Sequence, residues 1–113
     1  MRKIIVKINN LNWKVYFVAN NDANLDKTDE EDDVCGITHF SKLRIYINRD
    51  INEELILHTL KHELTHATLF SYGMGQYETF TEENVCDIVE TYGEEIINNA
   101  NYIYNAYIKS RLD

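Results

Sequence analysis

The pattern of apolar and polar residues changes near residue 50, from short strand-like runs to long helical ones. Residues 3–8 and 12–19 are rich in Ile, Val, Tyr and Phe, as β-strands are. Asn9 and Asn10 lie between the two runs, and asparagine favours tight turns. We therefore predict a β-hairpin at the start of the chain.

A second pair of runs, 35–40 and 43–48, surrounds the polar residues Ser41 and Lys42. The stretch RIYIN within the second run alternates between polar and apolar side chains, which is typical of a strand with one buried face. This pattern predicts a second hairpin. Together the two hairpins predict a short antiparallel β-sheet of three or four strands within residues 1–48.

The pattern after Asp50 has the spacing of an α-helix from about Glu53 to Ser71, with apolar residues three or four positions apart. Asp50 and Glu53 have the spacing of a capping box, which would start this helix. Gly73 and Gly75 would end it, because glycine readily adopts the left-handed conformation found after helices.

A second helix is predicted from about residue 80 to about residue 109, with Thr79 and Glu82 as its capping box and a bend near Gly93. The fold class that these elements predict is α+β, in one domain over residues 1–113. A chain of this length holds one hydrophobic core, so we expect a single site.

Composition restricts the classes of partner. The formal net charge of -8 argues against nucleic-acid binding through phosphates, which requires a basic surface. No stretch approaches the roughly 18 apolar residues of a membrane span, so we expect no membrane partner.

Cys35 and Cys86 are too sparse for a disulfide framework, which favours a cytoplasmic setting. The acidic tract 20–33 lacks the glycine and glutamate of a calcium loop and is expected to be a solvated loop.

The helix predicted over residues 53–71 contains the sequence HELTH, an instance of the H-E-x-x-H pattern. Residues four apart share a helix face, so His62 and His66 can both bind one tetrahedral zinc ion. Glu63 lies about 100° around the helix from His62, where a general base for water belongs. The alternative is a pair of histidines on an ordinary helix, with no metal between them.

A catalytic zinc ion needs a third protein ligand. Histidine at 72 and glycine at 69 would indicate a metzincin, but the chain has Tyr72 and Leu69, which excludes that class. His58 would extend the histidine row, but three side chains over two turns span about 12 Å and cannot meet on one ion. His39, beside the second predicted turn, is expected to be a surface residue.

The third ligand is expected from the next helix, where TEENVCDIVE carries a row of acidic residues. If this helix folds back antiparallel, Glu83 is the best-placed carboxylate, and Asp87 could hold a histidine ring. The competing ligands at this point are Glu82, Asp87, Glu90 and Cys86. The row could also be no more than a solvated acidic face.

HELTHA followed by EENVCD resembles the gluzincin type of zincin metallopeptidase, in which the helix after H-E-x-x-H supplies a glutamate. The chain is most similar to compact bacterial and phage-encoded forms related to the ImmA/IrrE and SprT-like families. The upstream run GITHFSKLRIYI resembles the zincin strands that border the substrate cleft, so the resemblance covers roughly Cys35 to Glu90.

The resemblance implies one zinc ion held by His62, His66 and Glu83, with Glu63 as general base. It also implies hydrolysis of a peptide or protein substrate in a bacterial or phage-infected cytoplasm, with the substrate pairing to the edge strand. Tyr72 and Tyr77 flank the turn between the helices, and either is a candidate to stabilise the oxyanion; the interpretation we favour is that the tyrosines are structural. The alternative function is an interaction protein of a phage or mobile element that keeps this core as a scaffold. Substrate specificity and oligomeric state are not predicted.

Overall fold

The computed structural model describes residues 3–25, 34–74 and 79–112. Its elements along the chain are β1 (Ile4–Ile8), β2 (Leu11–Val18), a short 3-10 turn (Ala23–Leu25), β3 (Gly36–His39), β4 (Arg44–Asn48), α1 (Glu53–Ser71) and α2 (Glu82–Arg111). The α+β class is confirmed. The acidic residues 26–33 and the segment 75–78, which contains Gly75 and Tyr77, lie outside the described residues.

Both predicted hairpins form. β1 pairs antiparallel with β2 through a two-residue turn in which Asn9 and Asn10 have φ of 47° and 67°. Positive φ at both central residues is the requirement of the turn type whose twist matches a hairpin, and asparagine tolerates it. β3 pairs antiparallel with β4, and Leu43 adopts a φ of 54° at the end of the connecting turn.

The expected antiparallel sheet is wrong in one respect, because the two hairpins join through a parallel pair. The strand order is β1-β2-β4-β3, with β2 parallel to β4. Asn48 at the end of β4 is fully buried, and its side-chain amide donates to Asn20 Oδ1 and to the carbonyl of Val34. Asn48 therefore ties together the segments that leave β2 and enter β3. In the strand order β3 is an outer strand of a mixed sheet.

Both helices cover the same face of this sheet. The largest buried cluster combines strand residues with helix residues: Val6, Ile8, Trp13, Val15, Phe17, Ile45, Ile47, Ile56, Leu60, Leu64, Ala67, Ile96, Ala100, Ile103 and Tyr107. A smaller cluster of Val18, Leu25 and Tyr46 lies on the opposite face. None of the helices in the described ranges is long and apolar enough to cross a membrane.

The predicted bounds of α1 hold, but its cap lies elsewhere. Asn52 is the N-cap, and its side-chain oxygen accepts a hydrogen bond from the backbone N–H of Glu54. Asp50 does not form the predicted capping box, because its carboxylate accepts from the backbone N–H of Asn20 instead. The helix ends before Gly73, whose φ of 80° is the left-handed conformation expected there.

The start of α2 also differs from the prediction, by two residues. Thr81 rather than Thr79 is the N-cap, and a reciprocal capping box joins it to Asn84. Asparagine takes the place of the usual glutamate in this box, because its side-chain oxygen accepts from the Thr81 backbone N–H. The helix then runs through Gly93 to Arg111 as one element.

Two sets of contacts fix α1 against the sheet, one at the C-terminus of the helix and one near its middle. Near its C-terminus the buried Trp13 donates its indole N–H to Ser71 Oγ at 2.8 Å, and Asn9 donates to the Ser71 carbonyl at 2.8 Å. Near its middle Gly36 lets β3 approach closely, since a Cβ at this position would lie 2.7 Å from Thr59 Cγ2 and 3.1 Å from Glu63 Cγ. The α1 helix is therefore tied to the first hairpin and to the edge strand.

Gly36 has no room for a side chain, whereas Gly93 has room for one. The same substitution to alanine should therefore have opposite effects at the two positions. Gly36→Ala should lower the free energy of unfolding by about 1–3 kcal/mol, because the added methyl overpacks the β3–α1 contact. Gly93→Ala should raise it by about 0.5–1 kcal/mol, because a Cβ there meets Val89 Cγ1 at an ordinary 3.5 Å and alanine favours helix. Urea denaturation of the two variants measures both effects, and equal effects of the two would contradict this packing.

Candidate metal centre

The residues of HELTH occupy two different faces of α1. The buried residues of the helix form a stripe facing the sheet: Ile56, Thr59, Leu60, Glu63, Leu64, Ala67, Thr68 and Ser71. Glu63 belongs to this stripe, whereas His62 and His66 are exposed. The motif therefore places its carboxylate against the sheet and its two imidazoles at the solvent-exposed edge of the contact between α1 and the sheet.

His62 and His66 lie side by side, as the spacing predicts. Their ring centroids are 4.9 Å apart, with the rings nearly perpendicular. The His66 ring also lies edge-on to Phe40, in the turn after β3, at 6.4 Å between centroids. Two neighbouring, solvent-accessible imidazoles are a donor pair that suits zinc, so this part of the predicted site fits the metal.

Glu63 is 7% exposed, and its two oxygens have different neighbours. Thr38 on β3 donates its hydroxyl to Glu63 Oε1 at 2.8 Å. Glu63 Oε2 lies 4.0 Å from His62 Nε2. The carboxylate is thus held from the β3 side through one oxygen, and its other oxygen points towards the histidine pair.

A cavity of about 390 Å³ opens where β3 begins. Its lining residues are Cys35, Gly36, His58, Thr59, His62 and Glu63. His58 is exposed at the mouth of this cavity, one turn before His62. The cavity therefore gives a ligand access to the carboxylate and to the first histidine from the edge of the sheet.

The structure does not bring Glu83 to the histidines. Within residues 3–25, 34–74 and 79–112, no three His, Cys, Asp or Glu side chains lie close enough to hold a metal ion. Glu83 is exposed in the first turn of α2, about 140° around the helix from the buried Ile96. Glu82 is only about 40° from Ile96, so it is the first-turn carboxylate on the core-facing side. Cys86, Asp87 and Glu90 are also exposed.

Tyr72, one of the two candidate oxyanion donors, contacts α2 instead. Its hydroxyl donates to Glu95 at 2.9 Å, and its ring lies 4.5 Å from that of Tyr92. The hydrogen bond to Glu95 raises the pKa of the Tyr72 hydroxyl, with burial and the negative charge of Glu95 adding to the effect. This tyrosine joins α1 to α2, and the other candidate, Tyr77, lies outside the described residues.

His39 is half-buried at the end of β3 and meets the Tyr46 ring edge-on at 5.3 Å, so it is not the surface residue expected. Two residues that sequence reasoning did not single out are Gly36 and Thr38, which together position Glu63. Gly36 is the first residue of the run GITHFSKLRIYI, so the sequence contained an indication that this glycine borders the site. Thr38 has no signal in the sequence, because a threonine in a strand is ordinary.

Comparisons with protein-family models, with curated proteins and with solved structures found no match to this chain. The likeness to gluzincins therefore depends on the sequence motifs alone.

The Thr38–Glu63 hydrogen bond can be tested through stability. Thr38→Val should lower the free energy of unfolding by about 1–3 kcal/mol, because it leaves a buried carboxylate oxygen without its donor. In a Glu63→Met background the same Thr38→Val change should cost much less, since no carboxylate remains to be satisfied. Denaturant unfolding of the four proteins completes the cycle. An equal cost of Thr38→Val in both backgrounds would show that the hydrogen bond contributes nothing.

Proposed function

We propose that this chain is a zinc-dependent metallopeptidase of the gluzincin type. In this proposal His62 and His66 are metal ligands and Glu63 is the general base. Glu83 is the third ligand that the resemblance implies; because the described arrangement keeps it away from the histidines, the proposal requires the first turn of α2 to move towards them when zinc binds. The observation that carries it is the buried carboxylate of Glu63 beside the exposed histidine pair.

The position of Glu63 supports a functional role, because a buried carboxylate there lowers the stability of the folded protein. Its neighbours on the sheet-facing stripe, Leu60, Leu64 and Ala67, are fully buried and apolar. A carboxylate among them loses its hydration, and within the described residues Thr38 is the one side chain seen to donate to it. An apolar residue would serve packing better, so the acid is better explained by chemistry than by the core.

The surroundings of the two Glu63 oxygens suit a general base, which needs to be held in place and to accept a proton. Thr38 holds Oε1, which fixes the carboxylate plane, while Oε2 faces His62 and can take a proton from water. A bound zinc ion would supply a Lewis acid that polarises the substrate carbonyl and lowers the pKa of water. Glu63 would then return the proton to the leaving amide nitrogen.

The edge of the sheet supports a peptide as the substrate. β3 is an outer strand and pairs with β4 on its inner side. An extended peptide can add to the outer side of such a strand through backbone hydrogen bonds, and within the described residues no strand pairs there. The cavity at Cys35 and Gly36 lies at the start of this strand, next to Glu63.

We place the reaction in the cytoplasm, because both cysteines are free.

Metal content and hydrolysis of the purified protein test this proposal. After loading with zinc and dialysis, the wild-type chain should keep near-stoichiometric zinc, and His62→Ala and His66→Ala should lose it. His58→Ala is the matched control from the same helix and should keep it. Comparison of Glu83→Ala with Glu82→Ala identifies the third ligand, which we expect to be Glu83.

Glu63→Gln separates the enzyme from a scaffold. It should keep zinc while its cleavage of a mixed-sequence peptide library, followed by mass spectrometry, falls by about 10²–10⁴-fold. A wild-type protein without zinc would refute the metal centre. Bound zinc without Glu63-dependent cleavage would refute the enzyme and favour the interaction protein.

A further inference from the structure

The two hairpins carry a charge opposite to that of the whole chain. Residues 1–21 and 34–49, which contain the four strands of the sheet, include seven Lys or Arg residues and no Asp or Glu. All 19 acidic residues lie in the segments 22–33 and 50–113. The net charge of -8 therefore conceals a separation of charge, in which the sheet is basic and the rest of the chain is acidic.

The face of the sheet that the helices leave uncovered displays part of this positive charge. Successive side chains of a strand point to opposite faces, and Val6, Trp13 and Ile45 belong to the core under the helices. The residues next to such core positions therefore lie on the other face. We call this surface the open sheet face, and its residues on β1, β2 and β4 include Ile5, Lys7, Lys14, Tyr16, Arg44 and Tyr46.

Two cations lie opposite each other on the open sheet face. Lys14 on β2 is the direct cross-strand partner of Arg44 on β4. Like charges in this position destabilise a sheet, and among the described residues neither side chain forms an ion pair. On the other side of Lys14 its partner is Ile5, which is 48% exposed, and the exposed Lys7 follows on the same strand. A bound anion would relieve the repulsion between Lys14 and Arg44.

The acidic groups of the described residues lie away from these cations. Arg44 begins β4, and Asp50 lies beyond the other end of that strand, so the two are more than about 13 Å apart at the rise of a β-strand. The acidic tract follows Leu25, which packs with Val18 at that same far end. The acids of α1 and α2 lie behind the sheet, and physiological salt largely screens charges more than about 8 Å apart. A ligand in front of the sheet therefore meets a positive surface.

A tyrosine beside the cations indicates what kind of anion fits. Tyr16 is half-buried on the open sheet face, and the Arg44 guanidinium lies over its ring, 5.8 Å from the centroid. Arg44 also donates to the Tyr46 hydroxyl at 3.3 Å, so its position is fixed by both tyrosines. Proteins that bind single-stranded nucleic acid on an open sheet use cations for the phosphates and aromatic side chains for the bases. An acidic peptide would occupy the cations but has no planar bases for Tyr16.

We propose that the open sheet face binds single-stranded nucleic acid. Lys7, Lys14 and Arg44 contact the phosphates, and the bases lie against Ile5 and Tyr16. The sequence argument against a nucleic-acid partner used the charge of the whole chain, which averages a basic sheet with acidic helices. The open sheet face lies on the side of the sheet away from α1 and HELTH, so the binding does not depend on the proposed peptidase activity.

Fluorescence anisotropy of a labelled oligodeoxythymidylate of about twelve nucleotides measures this binding. The wild-type protein should bind it saturably, and the affinity should fall as salt rises, because phosphate contacts release counterions. Lys14→Glu and Lys7→Glu should each weaken the binding at least about tenfold. Lys109→Glu is the matched control, because it makes the same change of charge at an exposed position of α2 behind the sheet, and it should change the affinity less than about twofold.

Two further comparisons separate nucleic acid from other anions. Tyr16→Phe keeps an aromatic ring and should bind the oligonucleotide as the wild type does, whereas Tyr16→Leu should weaken it at least about threefold, because leucine cannot stack on a base. A poly-glutamate peptide of similar length and charge, and vesicles containing phosphatidylserine, should both bind the wild-type protein more weakly than the oligonucleotide.

No saturable binding of the oligonucleotide by the wild-type protein would overturn the proposal, and so would equal affinities of the Lys14→Glu and Lys109→Glu proteins. Equal affinities of Tyr16→Leu and Tyr16→Phe would also overturn it, because the bases would then make no contact with this ring. Poly-glutamate that binds as tightly as the oligonucleotide would replace nucleic acid with an acidic protein segment, and tighter binding of the vesicles would replace it with a membrane surface.

Discussion

The close contact between β3 and α1 at Gly36 determines where the carboxylate of Glu63 lies. Because Gly36 has no side chain, the strand backbone can come within contact of Thr59 and of Glu63 Cγ. Two residues further along the same strand, Thr38 reaches the carboxylate of Glu63 with its hydroxyl. A backbone in a sheet moves less than a side chain on a loop, so the orientation of Glu63 is set by a rigid element.

The rest of the fold keeps that contact in place. Asn48, at the end of β4, holds the segments that leave β2 and enter β3, and so fixes the entry to the edge strand. Trp13 and Asn9 secure the far end of α1 through Ser71. The helix is therefore fixed on both sides of HELTH. The buried acid costs stability, and these polar anchors and the apolar residues around them offset that cost.

Local features of the fold were predictable from the sequence, and non-local ones were not. The Asn9–Asn10 turn, the strand at RIYIN and the helix after Asp50 each depend on neighbouring residues, and all three formed as expected. The single buried face expected from RIYIN was wrong, because β4 is buried on both faces. The parallel pairing of β2 with β4 joins residues about 30 positions apart, and no local pattern specifies it.

In the candidate site, too, the local features were predictable from the sequence and the non-local ones were not. The His62–His66 pair follows from helix geometry alone, so its side-by-side arrangement could be predicted. The orientation of Glu83 depends on how α2 crosses α1 and on which threonine caps α2. The cap lies at Thr81 rather than Thr79, and Glu83 faces away from the buried side of the helix. Thr38 could not be found, because its role exists only once β3 lies against α1.

The central claim is that the histidine pair of HELTH binds zinc beside a buried base. A crystal structure of the zinc-loaded protein, with anomalous data collected on both sides of the zinc absorption edge, tests it most directly. We expect one zinc peak in contact with both His62 and His66, with Glu63 beside the metal and not bound to it. Crystals from zinc-loaded protein with no peak at these two histidines would contradict a metal site at HELTH.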